Sequence, residues 1–212
     1  MTSALSRSVA PLPYPLAAAS SCAEAAGVGP AASPDWRAGA VGPVRSVPTP
    51  AQAGPDAVLD AVAGLVRDVV THGGPLTAAD GTATDTQSPA RIAGLGVGTA
   101  GVVDTSTGTI LSATDALKDW PGTDVRGGLQ SRLRELLGEA PITVENDVDA
   151  HAGGEAWLGA AAGVPSVLMV AVGTGVGASV VLDGRPLRGA HHVAGEMGHL
   201  PSPDARGLRC GC

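Results

Sequence analysis

The chain of 212 residues contains no phenylalanine and one tyrosine, and with three tryptophans its aromatic share is 2%. So sparse a set leaves almost nothing on which nucleic-acid bases could stack. Positive charge is short as well: 13 Lys and Arg stand against 20 Asp and Glu, a net charge of −7, which argues against a nucleic-acid surface. Three cysteines, Cys22, Cys210 and Cys212, are too few for a disulfide framework and point to a reducing, cytoplasmic setting. No apolar run reaches the length of a membrane span. The opening "MTSALSRSVAPLPYPLAAASSC" has one arginine and an alanine-rich run, but three prolines interrupt it. It also lacks the leucine expected before a lipoprotein cysteine, so it reads against a secretory signal.

What the chain has in excess is glycine, 31 residues, and proline, 17, with eight of the prolines in the first fifty positions. Residues 1–50 show no steady hydrophobic period and read as linker. The remainder is long enough for one sizeable domain or two small lobes. In "GPDAVLDAVAGLVRDVVTHGG", Pro55 suits a first helical position, and Val58, Leu59, Val62, Leu65, Val66 and Val69 recur at helical spacing. Gly73 or Gly74 would end that helix, and residues 75–90 read as loop. "RIAGLGVGTAGVVD" predicts a buried strand entering a glycine turn, with "TSTGTILSA" returning as a hairpin. Asp124 is placed to cap a second helix carrying Leu129, Leu133, Leu136 and Leu137 on one face, with Gly138 as its stop. A strand "PITVEN", a helix "DVDAHAGGEAWLGAA" and the strands "SVLMVAV" and "GVGASVVLDG" follow. Alternation of this kind defines an α/β chain, or α+β with hairpins.

Four stretches carry chemistry. "GVGTAG" satisfies G-x-G-x-x-G through Gly96, Gly98 and Gly101, but a β-branched, turn-rich segment follows where a dinucleotide site needs a helix. "AVGTGVGASV" places Gly173, Thr174 and Gly175 between apolar strands. Backbone amides there can face a phosphate, or the segment is a plain β-hairpin with a glycine bulge. Asn146 and Asp147 lie just past a strand end, where an amide and a carboxylate can grip a polyol and take a proton; on local sequence alone a helix N-cap is the better reading of the pair. Asp149 and His151 read as solvated helix positions. In "HHVAGEMGHLP", Glu196 and His199 stand three apart between glycines, His191 and His192 have no evident partner, and "CGC" adds Cys210 and Cys212. His199 and the two thiols are three of the four ligands a structural zinc takes.

Taken in order, "VRSVPTPAQAGPDAVLDAVAGLV", "GLGVGTAGVVDTSTGTILSATDALKDWPGTDVRGGL", "VENDVDAHAGGEAWLGAA", "VAVGTGVGASVVLDGRPLRGAHHVAGEMGHL" and "CGC" resemble the ROK family of repressors, open reading frames and sugar kinases. The resemblance covers residues 44–212. It implies an actin-like ATPase (ribonuclease H-like) fold of two lobes, incomplete here. Residues 1–43 would be an unmatched Ala/Pro/Ser-rich segment, 44–145 a partial N-terminal lobe and 146–212 the start of the C-terminal lobe. It further implies that Asp147 is the catalytic base of sugar phosphorylation. Asn146, Asp147, Glu196 and His199 would hold sugar hydroxyls, and Gly173, Thr174 and Gly175 the phosphates of ATP with Mg2+. His199, Cys210 and Cys212 would bind Zn2+ in an incomplete site.

Two departures modify these expectations. The family's opening hairpin carries D-x-G-G-T, which is not found here, and family chains continue past the zinc cysteines. The chain therefore reads as the middle of a ROK protein, with strands missing at its start, open sheet edges and little kinase turnover. Its partner would be a hexose such as glucose or an N-acetyl hexosamine, with no membrane and no nucleic acid, in a homo-oligomer if intact. The alternative implied by the family is a sugar-responsive repressor lacking its helix-turn-helix; Asp115, where many kinases show Asn, keeps that lineage open. A third is a remnant that folds poorly. Two structural expectations follow. Gly173 to Gly177 should form a tight turn between antiparallel strands, and Asn146, Asp147, Glu196 and His199 should converge on one cleft.

Overall fold

A computed structural model of the chain describes residues 16–19, 22–25, 44–72, 76–77, 83–84, 92, 94–173, 175–201, 203 and 207. The first two strands and those at 76–77 and 83–84 are described by backbone alone. In chain order the elements are β1 (Leu16–Ala19), β2 (Cys22–Ala25), β3 (Arg45–Pro48), α1 (Pro55–His72), β4 (Leu76–Thr77), β5 (Ala83–Thr84), β6 (Leu95–Thr99), β7 (Val102–Asp104) and β8 (Thr109–Ser112). Then come α2 (Val125–Arg132), α3 (Arg134–Leu137), β9 (Ile142–Asn146), α4 (Asp147–Leu158), β10 (Ser166–Val172), β11 (Val176–Leu182), β12 (Arg185–Pro186) and a 3-10 turn, Met197–His199.

The principal sheet runs β3-β2-β1-β6-β9. Its centre is parallel: β1 pairs with one side of β6 and β9 with the other, bringing Thr99 opposite Asn146. Strands β1, β2 and β3 pair antiparallel. This corrects the linker reading at residues 16–19, 22–25 and 45–48, and with it the expectation of missing strands. A buried strand such as β6 requires a hydrogen-bonding neighbour on each side. The Ala-rich segments "LAAA" and "CAEA" fill those positions although they lack the apolar alternation that marks a strand in sequence. Residues 75–90, read as loop, contain the short antiparallel pair β4–β5.

Helix α1 forms as its periodicity predicts. Val58, Leu59, Val62, Leu65, Val66 and Val69, with Ala63, are buried. They meet Leu95, Val97, Ile142 and Val144 of the sheet in one core, joined by Val125, Leu129, Leu133 and Leu137. Burying each such Leu or Val contributes roughly 1.5–3 kcal/mol. Trp120, 1% exposed, closes this core, and its indole donates to the Oγ1 of fully buried Thr99 at 3.2 Å. The predicted single helix over 125–137 is two helices, because the Arg132 carbonyl accepts from the Arg67 guanidinium at 2.5 Å. The Leu136 amide turns instead to the Leu133 carbonyl, and the helix axis breaks there. Arg132 also spans back to α1, donating to Asp60 at 2.6 Å and to Asp56 at 2.7 Å. These bonds raise its already high pKa further.

Beyond α4, strands β10, β11 and β12 form a separate antiparallel sheet. Its buried positions are few: Ala178, Ser179 and Val181. Asp124 caps α2 as expected, accepting from the Gly127 amide at 2.8 Å. Asp124→Ala should lower stability by about 1 kcal/mol, read as a shift of the urea unfolding midpoint, and Asp124→Asn by less than half of that. An unchanged midpoint in Asp124→Ala would show the cap to be energetically silent.

Candidate functional site

The site is built around the corner where β9 becomes α4. The Asn146 backbone is extended, and its Oδ1 accepts from the amides of Val148 (2.9 Å) and Asp149 (3.2 Å), so it is the N-cap of α4. The other end of the same amide donates to the Gly101 carbonyl at 3.0 Å, tying this corner to the end of β6. Gly101 has φ +102°, and a Cβ there would lie 2.5 Å from the Ser112 carbonyl oxygen. The glycine run 96–101 is thus a strand entering the β7–β8 hairpin, with no helix to form a dinucleotide site.

Asp147 follows the cap. Its Oδ1 accepts from the Val148 amide at 2.9 Å. Burial pushes its pKa above the ordinary carboxylate value, against the lowering effect of that backbone bond. Asp149, read from sequence as solvated, is half-buried beneath β11, and Ser179, fully buried, donates to it at 2.6 Å. Burial raises its pKa too, while the Ser179 hydroxyl holds it down. His151 is exposed, as expected.

Strand β11 carries the rest of the site, and three glycines explain how. A Cβ on Gly177 would sit 2.7 Å from Val148, so the first turn of α4 presses directly on this strand. Gly195, at φ +92°, passes over the Ala178 carbonyl, and Gly198 over the Val176 carbonyl, where added Cβ atoms would meet oxygen at 2.6 and 2.0 Å. The two glycines around Glu196 and His199 therefore let that segment lie on the backbone of β11. Glu196 Oε2 and His199 Nε2 stand 3.6 Å apart. Asn146–Asp147 and Glu196–His199, about fifty residues apart in sequence, are thus borne on two segments packed on residues 176–179.

The glycine turn is shorter than expected. Val176 and Gly177 belong to β11, and Gly173 to Gly175 alone link the strands, with the Gly173 amide bonded to the Gly175 carbonyl at 2.9 Å. Among the described residues, chain neighbours aside, no atom lies within 4 Å of a Cβ added to Gly173 or Gly175. Thr174, Cys210 and Cys212 lie outside the described residues. Among the described residues no group of three or more His, Cys, Asp or Glu is arranged to hold a metal ion.

Two partnerships escaped the sequence reading. Arg188 grips Glu145 with both arms of its guanidinium, one of them at 3.2 Å. His192, at φ +58°, brings Nε2 to 3.9 Å from Asp104. The Ser106 hydroxyl and amide, bonded to Asp104 at 2.6 and 2.9 Å, hold that carboxyl down at about 2. Neither pair has a local signal, because each joins residues more than forty positions apart.

The sequence profile of the ROK family matches residues 39–212, and the chain belongs to that family. It is 34% identical over 127 residues to a glucokinase of Halalkalibacterium halodurans, covering 59% of this chain and 36% of the relative. It is also 34% identical over 113 residues to a xylose repressor of Caldicellulosiruptor bescii, covering 53% and 27%. The structure superposes on a ROK hexokinase from Thermus thermophilus with a TM-score of 0.62 and 28% identity, covering 92% of this chain and 55% of that one. The fold is the actin-like ATPase fold of ROK sugar kinases. The chain spans between about a quarter and just over half of these relatives' lengths. Among the described residues no helix is long and apolar enough to cross a membrane.

The raised pKa of Asp147 has a thermodynamic sign. Between the ordinary carboxylate pKa and the higher folded value, the folded state holds more proton than the unfolded one, so the contribution of Asp147 to stability falls as pH rises. Asp147→Asn keeps the acceptor for Val148 and removes this loss. It should match wild type near pH 4 and exceed it by a few degrees in melting temperature at pH 7 to 8. A variant less stable than wild type at pH 8 would contradict the burial argument.

Proposed function

We propose that this chain is the sugar-recognising portion of a ROK protein of the kinase type, acting on a hexose such as glucose or an N-acetyl hexosamine. The observation that carries the reading is the packing against strand β11 of the two segments that bear Asn146–Asp147 and Glu196–His199, which supports a shared hydroxyl-binding surface. Asp147 is the catalytic base: its carboxylate accepts the proton of a sugar hydroxyl as that oxygen bonds to the terminal phosphoryl of ATP and ADP departs. A carboxyl pushed upward by burial is better matched to that task near neutral pH than an ordinary one. Gly173, Thr174 and Gly175 would cradle the phosphates; among the described residues nothing lies within 4 Å of a Cβ added to either glycine, which supports this. Magnesium accompanies ATP by family likeness. His199, Cys210 and Cys212 suit zinc in donor chemistry, one ligand short of four, and the ion would brace the turn that carries Glu196.

Turnover by this chain alone is expected to be low. Phosphoryl transfer depends on charge stabilisation around the phosphates. The hairpin pair β1–β2, "LAAASSCAEA", offers neither the aspartate nor the glycines of D-x-G-G-T. The xylose repressor relative favours a second reading, in which the same surface binds a sugar as a signal and no phosphoryl is transferred.

Calorimetric titration with glucose, N-acetylglucosamine and xylose, beside a coupled ADP-release assay, tests both readings. The kinase reading expects hexose binding and turnover below about 1 per second, the lower end of usual enzyme rates. Asp147→Ala should remove any transfer, by 10²-fold or more, while retaining some binding. Binding of xylose with no ADP release would support the repressor reading. Absence of binding to any of the three would refute the sugar site.

A further inference from the structure

We propose that Arg188 and Glu145 form a positioning clamp that fixes the Glu196–His199 turn against the start of α4. As a statement about the sugar site, it rests on the reading given above. Glu145 is the last β9 residue before the Asn146 cap, paired in register with Gly98 of β6. Arg188 lies two residues past β12, at the root of the segment that leads to Glu196. Its backbone is fixed at that root: the neighbouring Leu187 amide donates to the Val180 carbonyl at 2.7 Å, and the Arg188 carbonyl accepts from the Ala194 amide at 3.1 Å. The second of these bonds closes residues 188–194 into a loop and delivers Gly195 to its crossing over β11.

The Arg188 side chain then reaches across to a different sheet. Both guanidinium arms engage both oxygens of one carboxylate, a planar fork that sets orientation as well as distance. The pair is largely shielded, with side chains 35% and 19% exposed, unlike an ordinary surface ion pair. Arg188 also faces Asp149, which feels the negative charges of Glu145 and Glu196 as well. It is thus a cation set between Glu145 and Asp149. Without it, Glu145 would be left half-buried and uncompensated, and the carboxylates would repel one another across the joint. His192 of the same loop lies near β7, its Nε2 3.9 Å from Asp104. Glu196 and His199 are more than half shielded and are carried by a short turn that rests on β11. The clamp fixes the root of the segment leading to that turn, and it attaches one residue away from the amide that caps α4.

Hydrogen exchange tests the clamp on the ligand-free chain. The Met197, His199 and Leu200 amides are bonded within the turn and report on its order. Arg188→Met should speed exchange over residues 193–200 at least tenfold, with α1 unchanged, and Glu145→Gln should do the same more weakly. Arg188→Lys keeps the charge and loses the fork, so it should restore only part of the protection. Unchanged exchange at 193–200 in both Arg188→Met and Glu145→Gln would overturn the clamp. So would equal acceleration in α1, which would mark a general loss of stability. For any sugar that wild type binds, the clamp predicts a Kd raised at least tenfold in Arg188→Met. An unchanged Kd despite faster exchange would overturn its coupling to the site. If wild type binds none of the three sugars, the sugar reading fails, while the exchange measurements still decide the clamp.

Discussion

One side-chain amide, that of Asn146, joins the parts of this molecule. Its oxygen satisfies two amides at the start of α4, and its nitrogen holds the Gly101 carbonyl at the end of β6. A helix start leaves amides without intrahelical partners, and a strand end leaves carbonyls. Asn146 meets both needs at once because β6 and β9 run parallel and finish level, Thr99 beside Asn146. Aspartate could cap the helix but could not donate to Gly101 while ionised, and serine is too short to reach both ways. The direction of α4, and with it the place of Asp147 and Asp149, follows from this one residue.

Acids at a helix start are ordinarily favoured by the helix dipole. Here burial overrides that preference for both Asp147 and Asp149, whose carboxyls are pushed upward. Local stability is given up where chemistry or recognition needs a poised carboxyl. Ser179 and Arg188 offset the cost for Asp149, while Asp147 has the bond from the Val148 amide and the nearby His151.

The amphipathic elements were legible from sequence. Helix α1 and its buried face, the Asp124 cap, the buried strand β6 and the β10–β11 hairpin all announce themselves by period, cap or turn residues within a short window. The strands β1 and β2 did not. Alanine carries no period, and those segments are strands because β6 needs a neighbour, which is a tertiary demand. The break at Leu133 depends on Arg67, sixty-five residues earlier than the Arg132 carbonyl it binds. For the site, Asn146, Asp147, Glu196 and His199 stood out by type and spacing. Asp149, Glu145 and Arg188 did not, because their partners are set by the stacking of α4 and the 195–199 segment on β11. The glycines of that segment were visible as letters, but their purpose, passage over the Ala178 and Val176 carbonyls, exists only in three dimensions.

The β10–β12 sheet is built differently from the rest. The contiguous core runs from Val58 to Val144, whereas this sheet turns Leu168, Val170 and Val172 outward at 56%, 49% and 79% exposure. Strand β10 is also its terminal strand, so one row of backbone donors and acceptors has no partner within the sheet. Its sequence, "SVLMVAV", contains no charge and no proline. Seven such residues on an open margin have the composition of a segment that pairs with copies of itself. Among the described strands β10 is thus the one best fitted to pair with its copies as concentration rises, and a single lysine on its outward face would suppress this at little cost to the fold.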